Sequence, residues 1–295
     1  MPGINGILNI NKPAGMTSHD VVAIVRKMSR ESRVGHAGTL DPLATGVLLV
    51  CIGQATRVAE YLTDHDKKYR ARVRLGIETD TYDAQGTVVS EHEVSVSLEQ
   101  VEEALQSFVG SISQMPPAYS AIKQQGTPLY KLARQGVEVE TEPRQIVIHS
   151  IALTEFTPPD LEVQVHCSKG TYIRSLAHDL GAKLGTGAHI TALTRTMSGQ
   201  FSLDTALTLD QLRDAFLGNY VEQFLSPLDE ALLQFEAVVV EPGIVKRIQQ
   251  GNPLPCERGY ATPLLRVYST RGELIALMER GDAPKVWKPK KVFLL

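Results

Sequence analysis

The sequence is poor in the residues that build covalent or metal frameworks. Its three cysteines, Cys51, Cys167 and Cys256, are scattered through 295 residues with no CxxC pair, which argues against a disulfide scaffold and a cysteine zinc site. None of the eight histidines stands in an HxH or HxxxH spacing, so no metal is expected. GxGxxG and GxxxxGK[ST] are both missing, and with them the signatures of dinucleotide and P-loop sites. The longest apolar run, residues 47–52, is far short of the ~20 residues of a membrane helix. The first twelve residues alternate apolar and polar and lack the apolar stretch of a signal peptide. An intracellular, cytoplasmic protein without membrane contact is expected.

Hydrophobic residues make up 43% and charged residues 21%, enough for a real core and too balanced for disorder. The length gives a prior of about two domains. A net charge of -3 shows no global excess of base, but the charge is unevenly placed. Residues 12–74 hold 11 Lys/Arg against 6 Asp/Glu, and residues 236–295 hold 10 against 6. Residues 75–114 hold 8 acids and no Lys or Arg. Local basic surface decides nucleic-acid binding, because screening confines each phosphate contact to about a Debye length. The asymmetry permits RNA binding; ordinary solvated faces would look the same.

Residues 6–11 read as a strand ending at Lys12-Pro13, followed by a helix from Thr17 or Ser18 with Val21, Val22, Ile24, Val25 and Met28 as its apolar stripe. Residues 33–46 read as an irregular polar loop leading into the buried strand 47–52. Residues 68–75 alternate as a half-exposed strand does, and Ser97 to Gln100 forms a capping box that opens a helix over 98–109. Residues 161–168 alternate strictly, which puts Leu161, Val163, Val165 and Cys167 on the core face and His166 opposite. A helix follows over 172–184. Many strands interrupted by few helices predict an α+β fold with a mixed, mostly antiparallel central sheet flanked by helices. The composition changes near residues 235–241, and the remainder reads as a small all-β module with a hairpin turn at 270–273.

The densest constellation is GHAGTLDPLATGVL, residues 35–48. Glycines and a proline fix an irregular backbone around His36 and Asp41, and Pro42 pushes Asp41 toward an extended conformation that presents its carboxylate. That carboxylate suits a nucleophile or a general base, and equally an Asx turn. Lys12 stands in a stiff turn before a helix start, as a phosphate contact or as a surface lysine. Tyr69, an aromatic among bases, suits stacking on a nucleobase or the edge of a core. Arg174 falls in the first turn of a helix, the wrong end for the dipole. It therefore calls for an anionic partner, with a buried Asp41 as one candidate, a pairing that favours the charged carboxylate; a surface arginine fits the same pattern.

Together, residues 11–18, 35–48, 79–83 (TDTYD), 116–123 (PPAYSAIK), 167–174 and 187–189 resemble, in order, the successive motifs of the TruB family. These are tRNA pseudouridine synthases acting on uridine 55 of the T loop. The likeness spans about residues 5–200, and 236–295 resembles a PUA domain, a small β-barrel that binds RNA. The resemblance implies a catalytic domain over 1–235, with a tRNA-clamping insertion at about 75–150, and a PUA-like domain over 236–295. It makes Asp41 the nucleophile, Tyr69 the residue stacked on the flipped base, and Arg174 the partner of the aspartate. It places His36, Asp83, Tyr172 and Leu193 in substrate binding, and Lys12 and Pro13 as a brace for the tyrosine. It implies no cofactor, no metal, the tRNA T arm as partner, no obligatory protein partner and a monomer. Where the family often has Leu-Arg-Arg-Thr, this chain has Leu193-Thr194-Arg195-Thr196, which loses one arginine contact. Rival readings are a guide-RNA-dependent relative of the dyskerin type, a tRNA-folding chaperone, and an aspartate-dependent hydrolase.

Overall fold

The computed structural model describes residues 4–120, 123–124, 127–129, 141–256, 258–281 and 285–293. Residues 121 and 122 of the PPAYSAIK segment, and 130–140 of the expected clamping insertion, lie outside them. The chain opens with β1 (Gly6–Lys12), α1 (Ser18–Ser29), β2 (Val34–Ala37) and β3 (Thr45–Ile52). Thr17 caps α1 in a capping box with Asp20, which satisfies two of the helix's orphan N–H groups. Short α2 (Ala59–Thr63) precedes β4 (Lys67–Leu75) and a hairpin of β5 (Ile77–Thr79) and β6 (Val88–Glu91). Next come α3 (Leu98–Gln106), β7 (Gly110–Gln114), a hairpin of β8 (Lys123–Gln124) and β9 (Thr127–Pro128), and the long pair β10 (Arg144–Thr157) and β11 (Asp160–Cys167). Then follow α4 (Ile173–Leu184), β12 (Ala188–Ser198), β13 (Phe201–Ser202), α5 (Leu209–Leu217) and β14 (Leu225–Ser226).

Ten of these strands form one sheet in the order β14-β1-β3-β12-β4-β11-β10-β7, with β2 paired to β3 and β13 to β12. Its pairings are antiparallel except at β12 and β3, where Thr194 faces Thr45 and Arg195 faces Gly46. That parallel junction lies just after the Asp41 loop. Val47 to Ile52 are all fully buried, as a continuous apolar run in a central strand must be. β11 buries Leu161, Val163, Val165 and Cys167 and leaves His166 half-exposed, the alternation of a strand with one face on the core. Two boundaries differ from expectation. Residues 34–37 are not loop but strand, because pairing to β3 supplies the hydrogen bonds that their composition does not advertise. The helix at 98 ends at Gln106, where Ser107 caps it and Phe108 turns to pack on the core.

The C-terminal part is a curled five-stranded sheet, a half-barrel of the PUA-like kind. It consists of β15 (Glu236–Val240), α6 (Pro242–Gln249), β16 (Leu254–Pro255), β17 (Leu264–Ser269), β18 (Leu274–Arg280) and β19 (Val286–Val292). It is not all-β, since α6 begins at Pro242 and buries Ile248. Leu264, Leu274, Leu277 and Phe293 pack into one cluster with Ile7, Leu49, Leu62 and Leu232 of the large sheet's side. Arg57 donates to the Val292 carbonyl, and Lys291 bonds Glu60 across the same seam. Among the described residues no helix is long and apolar enough to cross a membrane.

Gly46 shows how tightly the parallel junction is built. Its φ is +96°, and a Cβ there would lie 2.2 Å from the Arg195 carbonyl oxygen. A side chain would meet both an unfavourable backbone region and immovable main chain. Gly46→Ala is expected to destabilise the fold by about 2 kcal/mol or more. Thermal unfolding checks this, and an unchanged Tm would contradict it.

Candidate active site

Asp41 sits on a loop pinned from both sides. On one side the Ser18 hydroxyl accepts from the Leu40 N–H at 2.9 Å and donates to the Leu40 carbonyl at 3.1 Å. Lys12, fully buried, donates to the carbonyls of Pro13 at 2.9 Å, Met16 at 2.6 Å and Pro42 at 3.4 Å. Gly15 adds a bond from its N–H to the Pro42 carbonyl at 2.8 Å. On the other side Arg195 donates to the carbonyls of Val47 at 2.7 Å, Gly38 at 2.9 Å and Thr39 at 3.5 Å. A loop held by this many long-range bonds presents its carboxylate in one place.

α4 brings the opposing charge. Gln114 accepts from the Tyr172 N–H at 2.8 Å and donates to the Tyr172 carbonyl at 3.0 Å, which fixes the start of the helix. Two residues on, Arg174 is 4% exposed and its Nε lies 2.9 Å from Asp41 Oδ2. The Nε–H is not aligned as a hydrogen bond, so the contact is an ion pair. The other guanidinium nitrogens donate to the carbonyls of Thr81 at 3.0 Å and Tyr119 at 2.9 Å. The sequence expectation of a buried Asp41 needs correcting: the arginine is buried, while the Asp41 side chain is 37% exposed. A buried guanidinium anchored by carbonyls holds a carboxylate that remains open to the cavity.

That cavity has a volume of about 480 Å³, within the range of small-molecule sites. Asp41, Tyr69, Tyr172, Arg174 and Leu193 line it together. Tyr69 and Arg195 are directly paired across β4 and β12, and both line the cavity. Burial raises the pKa of the Tyr69 and Tyr172 hydroxyls, so both are neutral donors at physiological pH.

The remaining expected residues lie outside the lining. Asp83 stands behind Arg174, its Oδ2 3.8 Å from the guanidinium, and accepts from Thr81 Oγ1 at 2.8 Å and the Gln85 N–H at 3.0 Å. It is buried and stands where it can orient the arginine. Lys12 and Pro13 brace the turn against Pro42 rather than the tyrosine. Thr194 uses its hydroxyl on Thr45 at 2.9 Å, which stitches the parallel junction. His36 is half-buried on β2, in edge-to-face contact with His19 at 5.2 Å. Burial, reinforced by His19 and Arg195, lowers its pKa from 6.5 to about 4. Between those values the unfolded chain binds a proton that the folded chain refuses, so stability falls as pH drops through this window. His36→Gln is expected to gain Tm relative to the wild type as pH is taken from neutral to about 4.5; a pH-independent difference would contradict it.

Three residues escaped the sequence reading: Arg195, Lys67 and Gln114. Arg195 is 1% exposed, and alternation along 188–198, which places it on the face of Leu193, was the available signal. Burial lowers the pKa of Lys12 and of Lys67 to about 8, and the charge of Arg195 pushes both the same way. Arg174, Arg195, Lys12 and Lys67 thus gather positive charge around Asp41, where low polarisability strengthens its field. The outward face of β4 is less available than its composition suggests. Arg72 pairs with Glu155 at 3.5 Å and Glu162 at 3.6 Å, and Arg74 with Asp160 at 3.6 Å.

The fold and cavity define a pseudouridylate synthase. The chain superposes with a TM-score of 0.74 and 27% identity on the structure of an H/ACA ribonucleoprotein bound to a substrate RNA containing 2′-deoxyuridine, covering 98% of this chain and 85% of that one. A Cbf5-Nop10-Gar1 complex gives 0.74 and 28% over the same shares. The model of the TruB family pseudouridylate synthase N-terminal domain matches residues 26–173, and that of the tRNA pseudouridylate synthase B C-terminal domain matches 174–233. The tRNA pseudouridine synthase B of Alkaliphilus oremlandii is 49% identical over 249 residues, 84% of this chain and 82% of the relative. That of Dehalococcoides mccartyi is 42% identical over 292 residues, 99% and 97% of the two chains. The chain belongs to the TruB family.

Proposed function

We propose that this enzyme isomerises uridine to pseudouridine at position 55 in the T loop of tRNA, alone, without guide RNA, cofactor or protein partner. The observation that carries the residue assignment is the Asp41–Arg174 ion pair at 2.9 Å, its carboxylate open to a cavity of about 480 Å³. The target base is stacked inside the folded tRNA, so it must be flipped out at a cost of a few kcal/mol. In the cavity the base stacks on Tyr69 and packs against Leu193. Asp41 attacks the target nucleoside, the N1–C1′ bond breaks, and the detached uracil turns to present C5. C5 joins C1′ and the bond to Asp41 breaks to return its carboxylate, then C5 loses its proton and N1 ends protonated, so atoms and electrons balance without water or oxidant. Arg174 holds the carboxylate on line, and the neutral Tyr69 hydroxyl is placed to help remove the C5 proton by relaying it as it leaves. His36 contacts the flipped nucleotides outside the cavity, and Tyr172 lines the approach to the base.

The division falls at 235/236, with the PUA-like domain adding a second RNA face, and the enzyme acts as a monomer in the cytoplasm. The solved relatives stand in H/ACA and Cbf5-Nop10-Gar1 assemblies, which makes guide dependence the reading to exclude. Purified protein incubated with an unmodified tRNA transcript tritiated at C5 tests both. About one tritium released per tRNA, from position 55 and with no added RNA or protein, is expected. Tight tRNA binding without release would overturn stand-alone catalysis.

A further inference from the structure

The register of β10 and β11 shifts twice, and the shift between Ile148 and Ser150 is a bulge in which His149 is the extra residue and Ser150 faces His166. A bulge re-aims a side chain. Here the His149 ring lies with its centroid 4.7 Å from that of His166. Asp66, just before β4, meets both: its Oδ2 is 3.1 Å from His149 Nε2 and 3.8 Å from His166 Nε2. One ligand atom from each residue lies within 4.8 Å of the others. The Asp66 main chain is fixed by the Gly199 N–H at 2.9 Å, and the two histidines stand on paired strands, so the three groups are held by the sheet.

We propose that Asp66, His149 and His166 bind one divalent transition cation of the zinc class, at a site separate from the uridine cavity. Two imidazoles and a carboxylate are a donor set for zinc, with bonds of roughly 2.0–2.2 Å. Ligand atoms in a tetrahedron of that size stand roughly 3.3 Å apart, close to the shorter separations seen here, so small side-chain rotations complete the site. Magnesium, which prefers an all-oxygen shell, does not fit. The three side chains are 46%, 37% and 31% exposed, which lets an ion enter and leaves a fourth position to solvent. Lys67 and Ser168 line the cavity one and two residues along the chain from Asp66 and His166. A bound ion therefore replaces negative charge with positive beside the cavity rim, on an enzyme whose substrate is a polyanion.

The alternative is a plain surface ion pair, and zinc stoichiometry separates the two. Untagged full-length protein is dialysed against Zn²⁺ and its metal content measured, with Co²⁺ absorption reporting the ligand geometry. About one Zn²⁺ per chain is expected for the wild type and for a His92→Ala control. His149→Ala and His166→Ala should each bind at least about 100-fold more weakly, beyond what loss of an outer-shell contact brings. Unchanged isomerase activity of both variants without metal certifies their fold. No zinc retained by the wild type, or equal retention by both variants, would overturn the site.

Discussion

Asp41→Asn is expected to release no C5 tritium above background, a fall on the order of 10⁴–10⁶-fold, the range seen when a nucleophile or its activating carboxylate is removed. The amide keeps the size of the carboxylate and can still sit beside Arg174, so the fold should hold. It removes the charge, and a neutral amide is too weak a nucleophile to attack the nucleoside. The loop itself does not depend on that side chain. Its anchors are main-chain groups of Gly38, Leu40 and Pro42 bonded to Arg195, Ser18 and Lys12. Tm and tRNA affinity should therefore stay near the wild type while product formation vanishes. Tm by calorimetry, Kd by filter binding and tritium release give the three readings. Residual turnover within tenfold of the wild type would remove Asp41 from the nucleophile's role. Retained acceleration of tRNA folding by this variant would separate a chaperone role from the chemistry.

What the sequence made legible follows from where each signal is stored. Asp41 and Arg174 stood out because local rules are broken around them: a carboxylate among glycines and prolines, and a cation at the positive end of a helix. The strands 67–75 and 160–167 showed themselves by alternation, which one buried face enforces. α6 was missed although Pro242 at its first turn and Ile244, Val245 and Ile248 at helical spacing announce it. β2 and the role of Arg195 are different. β2 is a strand only because β3 lies beside it, and the carbonyls of Val47 and Gly38 are 148 and 157 residues from Arg195. The same holds for Asp66, His149 and His166, whose convergence depends on a bulge that no spacing rule encodes. Tyr69 and Leu193 were assigned through the family resemblance; their residue types alone fit a core edge equally well.

Arg195 carries the second large expected effect, and it acts through structure rather than chemistry. Its guanidinium satisfies the carbonyls of Val47 and Gly38 within the core, and the residue is paired with Tyr69 across β4 and β12. Arg195→Met keeps the apolar stem but leaves these groups without their donor, at about 1–3 kcal/mol for each buried group. A loss of about 3–5 kcal/mol in stability is expected, the scale of breaking a buried charged network. The Asp41 loop is bonded to this residue and Tyr69 is its neighbour on the adjoining strand. A displacement of about 1 Å at either would slow the chemical step on the order of 10²-fold even where the protein is fully folded. Single-turnover rates measured well below the variant's Tm separate this from unfolding, and tRNA Kd should change little because Arg195 is buried. Arg195→Lys retains a cation but has a single nitrogen in place of the planar fork, so it should restore part of the stability and less of the rate. If Arg195→Met kept the wild-type single-turnover rate, the bonds of Lys12 and Ser18 would suffice to hold the loop. The parallel junction at Gly46 would then serve the fold without serving the site.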